Sequence, residues 1–413
     1  MKRNVLIIGA GGVAQVVAHK CAQNNDVLGD IHIASRTLFK CEAILDSVRE
    51  KSALKLADGV LQAHRIDAMD SAAVARLIRD TGAGIVINVG SPFVNMTVLD
   101  ACIETGAAYI DTAIHEEPDK ICETPPWYAN HEWKKRDICA ERGVTAILGA
   151  GFDPGVVNAF ARFAVDEFMD EVKSIDIVDV NAGSHGHYFA TNFDPEINFR
   201  EFTGTVYTWQ GGKWQENRMF EVGRDWDLPV VGTRRAYLCG HDEIHSLAAR
   251  YPDADVRFWM GFGDHYINVF TVLNNLGLLS EHPVTTAEGL EVVPLKVVKA
   301  VLPDPASLAP GYTGKTCIGD LVKGVKDGRE VEVFVYNVAD HEEAYAEIGS
   351  QGISFTAGVP AVAAALLIAE GPWDAKEMKN VEDLDPKPFF TVLDRIGLPT
   401  RVRDEQGDRA WNE

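Results

Sequence analysis

The feature that most constrains the fold is the stretch NVLIIGAGGVA at residues 4–14. Its first half is a continuous apolar run with β-branched members, which predicts a strand buried on both faces. The glycines that follow predict a tight turn at Gly9, a close approach of the backbone to a phosphate at Gly11, and the start of a helix. The free N–H groups and the dipole of that helix favour negative charge. We therefore expect a dinucleotide pyrophosphate to bind at the following residues: Gly9, Gly11, Gly12, Val13 and Ala14.

The composition limits the partners and the compartment. The chain has 413 residues, enough for two or three domains, and a formal net charge of -22. Nucleic acids and anionic membranes require a concentrated basic face, so this charge argues against both; it suits a cationic substrate, and it serves solubility equally well. We expect no stretch long and apolar enough to span a bilayer, and the seven cysteines, which form no CxxC pair, are typical of reduced thiols. These features predict a cytoplasmic protein.

The residues that close the second predicted strand indicate which dinucleotide binds. In NAD-dependent domains an Asp or Glu at this point accepts hydrogen bonds from the ribose 2′-hydroxyl. Here Ser35, Arg36 and Thr37 offer two hydroxyls and a guanidinium, the groups that hold a 2′-phosphate. We therefore expect NADPH as the cofactor. The alternative is an exposed arginine that only begins the next helix.

Three further strands are predicted at residues 61–67, 85–90 and 108–112. A helical pattern follows each of the first two directly, and after the third a helix is predicted from His131 to Arg142. This alternation predicts an α/β fold with a Rossmann-type, doubly wound parallel sheet, whose ligands gather at the carboxyl ends of the strands. Those strand ends, with the turn at 151–155, supply the rest of the expected cofactor site: Asp67, Asn88, Val89, Gly90, Pro92, Asp111, Thr112 and Asp153.

The pattern changes after residue 150, where we place the first domain boundary. From Val172 onward, short alternating strands and turns predict a second, α+β domain. The segment Val359–Ala369 predicts a helix too apolar to face water, which is expected to pack back on the first domain. The proline-bearing segment Glu116–Asn130 is a candidate cover for the site.

Several separated motifs resemble the saccharopine dehydrogenase family. They are the N-terminal GAGGVA, the segment at 88–112, the turn GFDPG at 151–155 and GVPA at 358–361. Further motifs at 257–266, 302–319, 336–345 and 381–399 are similar to a branch of that family that makes polyamine precursors.

The resemblance implies an NADPH-dependent reductive condensation of aspartate β-semialdehyde with a diamine, either 1,3-diaminopropane or putrescine. It also implies that residues 351–413 complete the NADP-binding domain 1–150, and that residues 151–350 form an inserted domain for substrate binding and dimerisation. A homodimer is therefore expected. Two other functions stay open: a saccharopine reductase of lysine metabolism, and an NADP(H)-binding regulator without turnover.

The candidate catalytic residues follow from what imine reduction requires. Because a protonated imine is already a strong electrophile, the protein must chiefly align it and stabilise positive charge. Asp111 is the candidate for contact with the diamine or iminium, with capping of its own loop as the alternative, and His115 is the candidate for proton transfer. The expected substrate-binding residues are His187, Asn192 and, as alternative partners of the substrate carboxylate, Arg200 and Lys315. The pair His185 and His187 has no third ligand at a suitable spacing, so we expect no metal.

Overall fold

The computed structural model describes residues 2–51, 56–117 and 130–413. Its strands are β1 (Arg3–Ile8), β2 (Leu28–Ser35), β3 (Leu61–Arg65), β4 (Ala83–Asn88), β5 (Ala108–Asp111), β6 (Ala146–Leu148), β7 (Glu171–Asn181), β8 (Thr205–Gln210), β9 (Lys213–Arg218), β10 (Gly223–Leu228), β11 (Gly232–Cys239), β12 (Asp255–Gly261), β13 (Val284–Thr285), β14 (Glu291–Val292), β15 (Lys315–Lys326), β16 (Arg329–Asp340), β17 (Met378–Asn380), β18 (Arg401–Asp404) and β19 (Gly407–Ala410).

The helices alternate with the strands in the first half of the chain and are more irregularly spaced afterwards. They are α1 (Gly12–Gln23), α2 (Leu38–Lys51), α3 (Ser71–Thr81), α4 (Asn95–Thr105), α5 (Asn130–Trp133), α6 (Arg136–Arg142), α7 (Val156–Phe168), α8 (Pro195–Thr203), α9 (Asp242–Arg250), α10 (Asp264–Asn275), α11 (Pro294–Val301), α12 (His341–Ile348), α13 (Gly352–Glu370) and α14 (Pro386–Arg395). Short 3-10 helices lie at Pro92–Val94, Pro305–Leu308 and Val381–Asp383.

The first sheet has seven strands in the order β17-β6-β5-β4-β1-β2-β3, and every pairing in it is parallel. Strand β1 lies inside the sheet, between β4 and β2, and its apolar run from Val5 to Ile8 is at most 2% exposed because both faces of the sheet are covered. The sheet therefore has the Rossmann arrangement, and the predicted fold class is confirmed. The strand order reverses between β1 and β4, so the crevice for a ligand opens there.

The second sheet is larger and mixed. Its main path is β10-β11-β12-β7-β15-β16-β18-β19, and β8 and β9 are attached through β12. The long strands β7, β15 and β16 pair antiparallel along most of their lengths, as the alternating pattern predicted. Helix α7, which follows the turn at 151–155, packs on β15 and β16 and links the two sheets.

The last part of the chain contributes to both sheets. Strand β17 pairs with β6 and so extends the Rossmann sheet, whereas the hairpin β18–β19 pairs with β16 of the larger sheet. The expectation that 351–413 completes the first domain thus describes β17, while residues 401–410 lie with the second sheet. The domain boundaries themselves stay a prediction.

Helix α13 corrects an expectation about membranes. Its 19 residues are long and apolar enough, by length and composition, to cross a bilayer, so the statement that no stretch reaches this length was wrong. In this fold, however, 83% of its most apolar stretch of 18 residues is buried inside the protein. It packs on α1, and a Cβ at Gly358 would lie 2.7 Å from Cβ of Val16. The helix therefore serves as a core helix shared with the Rossmann domain, as predicted for Val359–Ala369.

The predicted cover Glu116–Asn130 lies largely outside the described residues. The structure describes Glu116, Glu117 and the backbone from Asn130 onward, and the middle of the segment is not described.

Candidate active site

An open cavity of about 900 Å³ lies at the carboxyl ends of the Rossmann strands, between the two sheets. One wall is formed by the glycine turn after β1 and by the ends of β2, β3, β4 and β5. The opposite wall comes from the second domain, at residues 192–197 and 299–306. A cavity that joins the switch point of a Rossmann sheet to a second domain is the usual site of a dinucleotide and its co-substrate.

The glycine turn is shaped for the close approach of a phosphate. Gly9 has φ +120°, and a Cβ there would lie 2.7 Å from the Val89 carbonyl oxygen, so only glycine fits. Gly11 faces open space, since a Cβ there would meet no atom within 4 Å. Gly11 is also the N-cap of α1 and makes no side-chain cap, which leaves the first N–H groups of the helix available to an anion. The geometry fits the pyrophosphate of a dinucleotide.

The end of β2 carries positive charge and no carboxylate. Ser35 is held in a local turn, because its Oγ accepts a hydrogen bond from the Thr37 N–H at 3.1 Å. Arg36 is exposed at the cavity and forms no hydrogen bond or ion pair with the described residues. Lys40, which sequence reasoning missed, also lines the cavity from the first turn of α2, where its Nζ lies 3.3 Å from Asp304. These groups fit a ribose 2′-phosphate.

The structure brings most of the predicted cofactor residues to the cavity wall. Those that line it are Gly9, Gly11, Gly12, Val13, Ser35, Arg36, Thr37, Asp67, Val89, Gly90, Pro92 and Thr112. Ala14 is buried beneath the turn and Asn88 beneath the loop after β4, where its Oδ1 accepts a hydrogen bond from the Gly90 N–H at 3.2 Å. Ala14 and Asn88 thus position the wall and do not form it.

Asp111 does not reach the cavity. It is 1% exposed, its Oδ1 accepts a hydrogen bond from the Gly149 N–H at 2.6 Å, and its Oδ2 accepts one from the Tyr109 hydroxyl at 2.9 Å. Burial and the nearby Glu132 raise the pKa of Asp111 well above its usual range. This buried position fits the alternative role of capping its own loop, and contact between Asp111 and the diamine stays a prediction.

His115 is buried beside the cavity wall, with its Nδ1 3.1 Å from the carbonyl oxygen of the cavity residue Pro92. Its Nε2 lies 3.7 Å from Glu117, and Nε2 of His131 lies 3.3 Å from the same carboxylate. The three ligand atoms lie within 4.8 Å of one another, so His115, Glu117 and His131 are the group in the described residues that can hold a metal ion. Each contact is also an ordinary histidine–carboxylate pair.

The predicted substrate residues are spread over the second domain. Asn192 lines the cavity and accepts a hydrogen bond from the Tyr312 hydroxyl at 2.8 Å. His187 is exposed and outside the cavity wall, and Lys315 pairs with Asp340 at 3.2 Å at the end of the hairpin β15–β16. The structure brings only Asn192 of these to the cavity.

Arg200 is turned toward carboxylates of its own chain. Its side chain is 3% exposed and pairs with Glu281 at 2.9 Å and with Glu116 at 3.2 Å, while Glu196 lies at 4.0 Å. Its guanidinium also lies over the ring of Phe93. The guanidinium of Arg200 is therefore already paired with acidic side chains that the sequence pattern did not reveal, and its pairing with a substrate carboxylate stays a prediction.

Asp153 lies in a second group of ionisable residues that sequence reasoning missed. This group, which we call the acidic cluster, lies next to the chain segment that follows the cavity residues Thr112 and Ala113, and it comprises Asp153, Asp179, Glu201, His241, Asp242 and Glu243. Asp242 accepts a hydrogen bond from the N–H of Ile114 at 3.2 Å, and Ile114 follows the cavity residues Thr112 and Ala113. No sequence motif signals the cluster, since its members come from four separate segments.

The parallel sheet, the glycine turn and the basic end of β2 define an NADP-dependent oxidoreductase. The model of the saccharopine dehydrogenase NADP-binding domain matches residues 5–147, and that of the saccharopine dehydrogenase C-terminal domain matches residues 151–398. The chain belongs to the saccharopine dehydrogenase family. The predicted family, enzyme class and cofactor, NADPH, are thereby confirmed.

Similar proteins narrow the comparison. A carboxynorspermidine synthase from Vibrio alginolyticus is 47% identical over 400 residues, which are 97% of each chain. A carboxyaminopropylagmatine dehydrogenase from Synechocystis is 43% identical over 96% of each chain. Among solved structures, apo saccharopine dehydrogenase (L-Glu forming) from Saccharomyces cerevisiae has a TM-score of 0.71, with 14% identity, and covers 97% of this chain and 99% of that one. At this identity the structural likeness supports the fold.

Proposed function

We propose that the protein catalyses the NADPH-dependent reductive condensation of L-aspartate 4-semialdehyde with a diamine, 1,3-diaminopropane or putrescine, in polyamine biosynthesis. The product is carboxynorspermidine or carboxyspermidine. The observation that carries the proposal is the 47% identity to a carboxynorspermidine synthase over 97% of both chains. The cavity is consistent with it, because an NADPH site opens directly beside a group of carboxylates suited to a cationic substrate.

The chemistry divides between the cofactor and the protein. NADPH, when bound, supplies the hydride that reduces the imine formed from the aldehyde and the amine. The glycine turn and Arg36 hold its phosphates, and the loop Val89–Pro92 with Thr112 forms the wall at the expected nicotinamide end. Residues 192–197 line the site from the opposite side and so reduce the exposure of the imine to water, which readily hydrolyses it.

A second candidate co-substrate is agmatine. The Synechocystis relative at 43% identity is named for a carboxyaminopropyl group carried by agmatine, an amine with a guanidinium at its far end. Diamines and agmatine both present one amine for imine formation and one distal cation. The saccharopine reductase alternative has less support, since the yeast saccharopine dehydrogenase is 25% identical over 40% of this chain.

We propose further that the enzyme works as a cytoplasmic homodimer that binds neither nucleic acid nor membranes. The net charge of -22 disfavours anionic polymers and surfaces, and the long apolar helix α13 is buried in the core. Exposed apolar side chains recur in the second domain, where Val272, Leu276, Leu290 and Val301 are each more than half exposed. Such a concentration on one domain suits an interface between subunits. Sedimentation of the purified protein tests the dimer.

The substrate proposal is tested by following NADPH consumption with L-aspartate 4-semialdehyde and a panel of 1,3-diaminopropane, putrescine and agmatine. The proposal predicts consumption only when aldehyde and amine are both present. Consumption with 2-aminoadipate 6-semialdehyde and L-glutamate, and none with aspartate semialdehyde and a diamine, would favour a lysine-pathway enzyme. Binding of NADPH without turnover on any of these substrates would favour the regulator.

A further inference from the structure

The acidic cluster lies where the two domains meet, next to the part of the cavity wall that Thr112 forms. Asp153 belongs to the turn before α7, Asp179 to β7 and Glu201 to α8. His241, Asp242 and Glu243 stand at the beginning of α9. A Cβ at Gly151, in the same turn as Asp153, would lie 2.9 Å from the carbonyl oxygen of the cavity residue Thr112. The turn that carries Asp153 thus packs against the cavity wall at Thr112.

His241 organises the cluster. Its Nδ1 lies 2.5 Å from Glu243 Oε2, and its ring stacks on Phe258 with a centroid distance of 4.1 Å and an interplanar angle of 12°. The positive charge of this histidine acts on the other carboxylates of the cluster, including Asp179, Glu201 and Asp242. One imidazolium therefore faces five carboxyl groups, which are more acidic groups than it can neutralise when all of them are ionised.

Two carboxylate oxygens of the cluster have no hydrogen-bond partner among the described residues. Glu243 is fully buried, and while its Oε2 contacts His241, its Oε1 is inaccessible to solvent and has no hydrogen-bond partner. Oε2 of Glu201 is likewise buried without a hydrogen bond. The charge of Glu243 acts on Asp153, Asp179 and Glu201, so its orphaned group belongs to the cluster. Orphaned buried acceptors beside a substrate cavity indicate a missing donor.

We infer that the acidic cluster binds the amine substrate by its distal cation, with Glu201 and Asp179 as the specificity-determining residues. This inference rests on the proposed function and assigns to the cluster the part that sequence reasoning gave to Asp111. An ammonium has three N–H donors and a guanidinium has five, and either offers donors for the orphaned oxygens while offsetting the excess negative charge. The reacting amine then points toward the cavity.

The acid–base properties of the cluster agree with this assignment. Burial is the main cause that raises the pKa of Asp179 to about 6, that of Asp242 to about 7 and that of Glu201 to about 8. Mutual repulsion with Glu243 adds to the effect in each case. Carboxyl groups whose pKa values are raised this far above the ordinary values are typical of functional sites.

The test measures amine binding to the NADP⁺-loaded enzyme by calorimetry, with putrescine, agmatine and, as a cation lacking the second charge, butylamine. The wild-type protein should bind putrescine more tightly than butylamine. Glu201→Gln keeps the shape of the side chain and removes its ability to ionise. It should therefore weaken the binding of putrescine by at least about tenfold and leave the binding of butylamine nearly unchanged. Glu330→Gln, at an exposed carboxylate on β16, is the matched control and should behave as wild type.

Asp179→Asn provides a second variant should Glu201→Gln not fold. The inference is overturned if both folded variants retain the wild-type preference for putrescine over butylamine. Turnover measured in parallel separates this inference from the proposed function. An enzyme that binds putrescine through the cluster but consumes no NADPH with the semialdehyde contradicts the proposed function alone. An enzyme that turns over normally in both variants contradicts the cluster assignment alone.

Discussion

The carboxylate of Asp111, at the end of β5, accepts a hydrogen bond from the backbone N–H of Gly149, just after β6, at 2.6 Å. This bond, together with that from the Tyr109 hydroxyl, joins two neighbouring strand ends beneath the active-site wall. Asp111 thus stabilises the strand ends from which the cavity wall is built, and in our proposal the acidic cluster, and not Asp111, recognises the cation.

We expect Asp111→Ala to lower the free energy of unfolding by about 2–5 kcal/mol, because the Gly149 N–H and the Tyr109 hydroxyl both lose a buried partner. Asp111→Asn keeps an acceptor and should leave the KM for diamine within about twofold of wild type. Urea denaturation and steady-state kinetics measure the two effects. A selective rise in the diamine KM of a stable Asp111→Asn protein would return the substrate-binding role to this residue.

Arg36→Ala should weaken the binding of NADPH and leave the binding of NADH nearly unaffected. The 2′-phosphate loses a charge-assisted hydrogen bond, worth about 1.5–3 kcal/mol or roughly 10- to 150-fold in affinity. Fluorescence titration with both cofactors measures the change. Arg49→Ala, an exposed arginine on the same helix as Lys40, is the control and should change neither constant. An equal loss of affinity for both cofactors in Arg36→Ala would show that the arginine does not bind the 2′-phosphate.

Arg200→Ala should destabilise the protein by about 3–5 kcal/mol, since it removes the guanidinium from three carboxylates in a nearly buried site. Arg200→Lys retains the positive charge but lacks the planar set of N–H donors of a guanidinium, and it should recover part of the stability. Thermal unfolding with semialdehyde kinetics separates this role from substrate recognition. A fully stable Arg200→Ala protein with a raised KM for the semialdehyde alone would establish the original expectation of carboxylate binding.

The stability of the unliganded protein should fall as the pH rises. Glu201 has its pKa raised from 4.5 to about 8, chiefly by burial, so the folded state holds a proton that the unfolded state has lost. This contribution to stability is complete below pH 4.5 and disappears as the pH passes through about 8. Asp179 and Asp242 also lower the stability as the pH rises, because their pKa values in the folded protein are raised from 3.8 to about 6 and about 7. The ionisable groups that act on these carboxylates or share their surroundings are Glu116, Asp153, Cys239, His241, Glu243, Tyr266 and Asp320.

Denaturation of wild type and Glu201→Gln between pH 5 and 9 tests this sign. The variant should lose less stability over the interval, and putrescine should reduce the slope of the wild-type curve because a bound cation favours the ionised carboxylates. Parallel curves for the two proteins would mean that Glu201 is not protonated in the folded state at neutral pH.

The Rossmann half could be predicted because its information is local. The buried run at Val5–Ile8, the glycines after it and the absence of a carboxylate at the end of β2 each lie within a few adjacent residues. Strand and helix bounds were less accurate: the predicted helix from His131 to Arg142 is two shorter helices. Helix α13 begins earlier than predicted and includes Pro360, whose missing N–H is accommodated in a helix that the core packs from several sides.

The substrate side could not be predicted because its information is distant. Glu201 and His241 lie on segments that meet only when the second sheet has formed, and no spacing in the sequence relates them. Arg200 matched the chemistry of a carboxylate partner, yet its actual partners, Glu116 and Glu281, are 84 and 81 residues away. A residue type at a strand end, such as Asp111, does not reveal whether its side chain turns into the cavity or into the protein.

The central claim is that one active site joins the semialdehyde to an amine by hydride transfer from NADPH. The most direct measurement supplies NADPH deuterated at the transferable position, together with L-aspartate 4-semialdehyde and putrescine or 1,3-diaminopropane, and identifies the product by mass spectrometry. The account predicts carboxyspermidine or carboxynorspermidine with one deuterium on the carbon that carried the aldehyde. A reduced aldehyde without the amine, or an unlabelled condensation product, would contradict it.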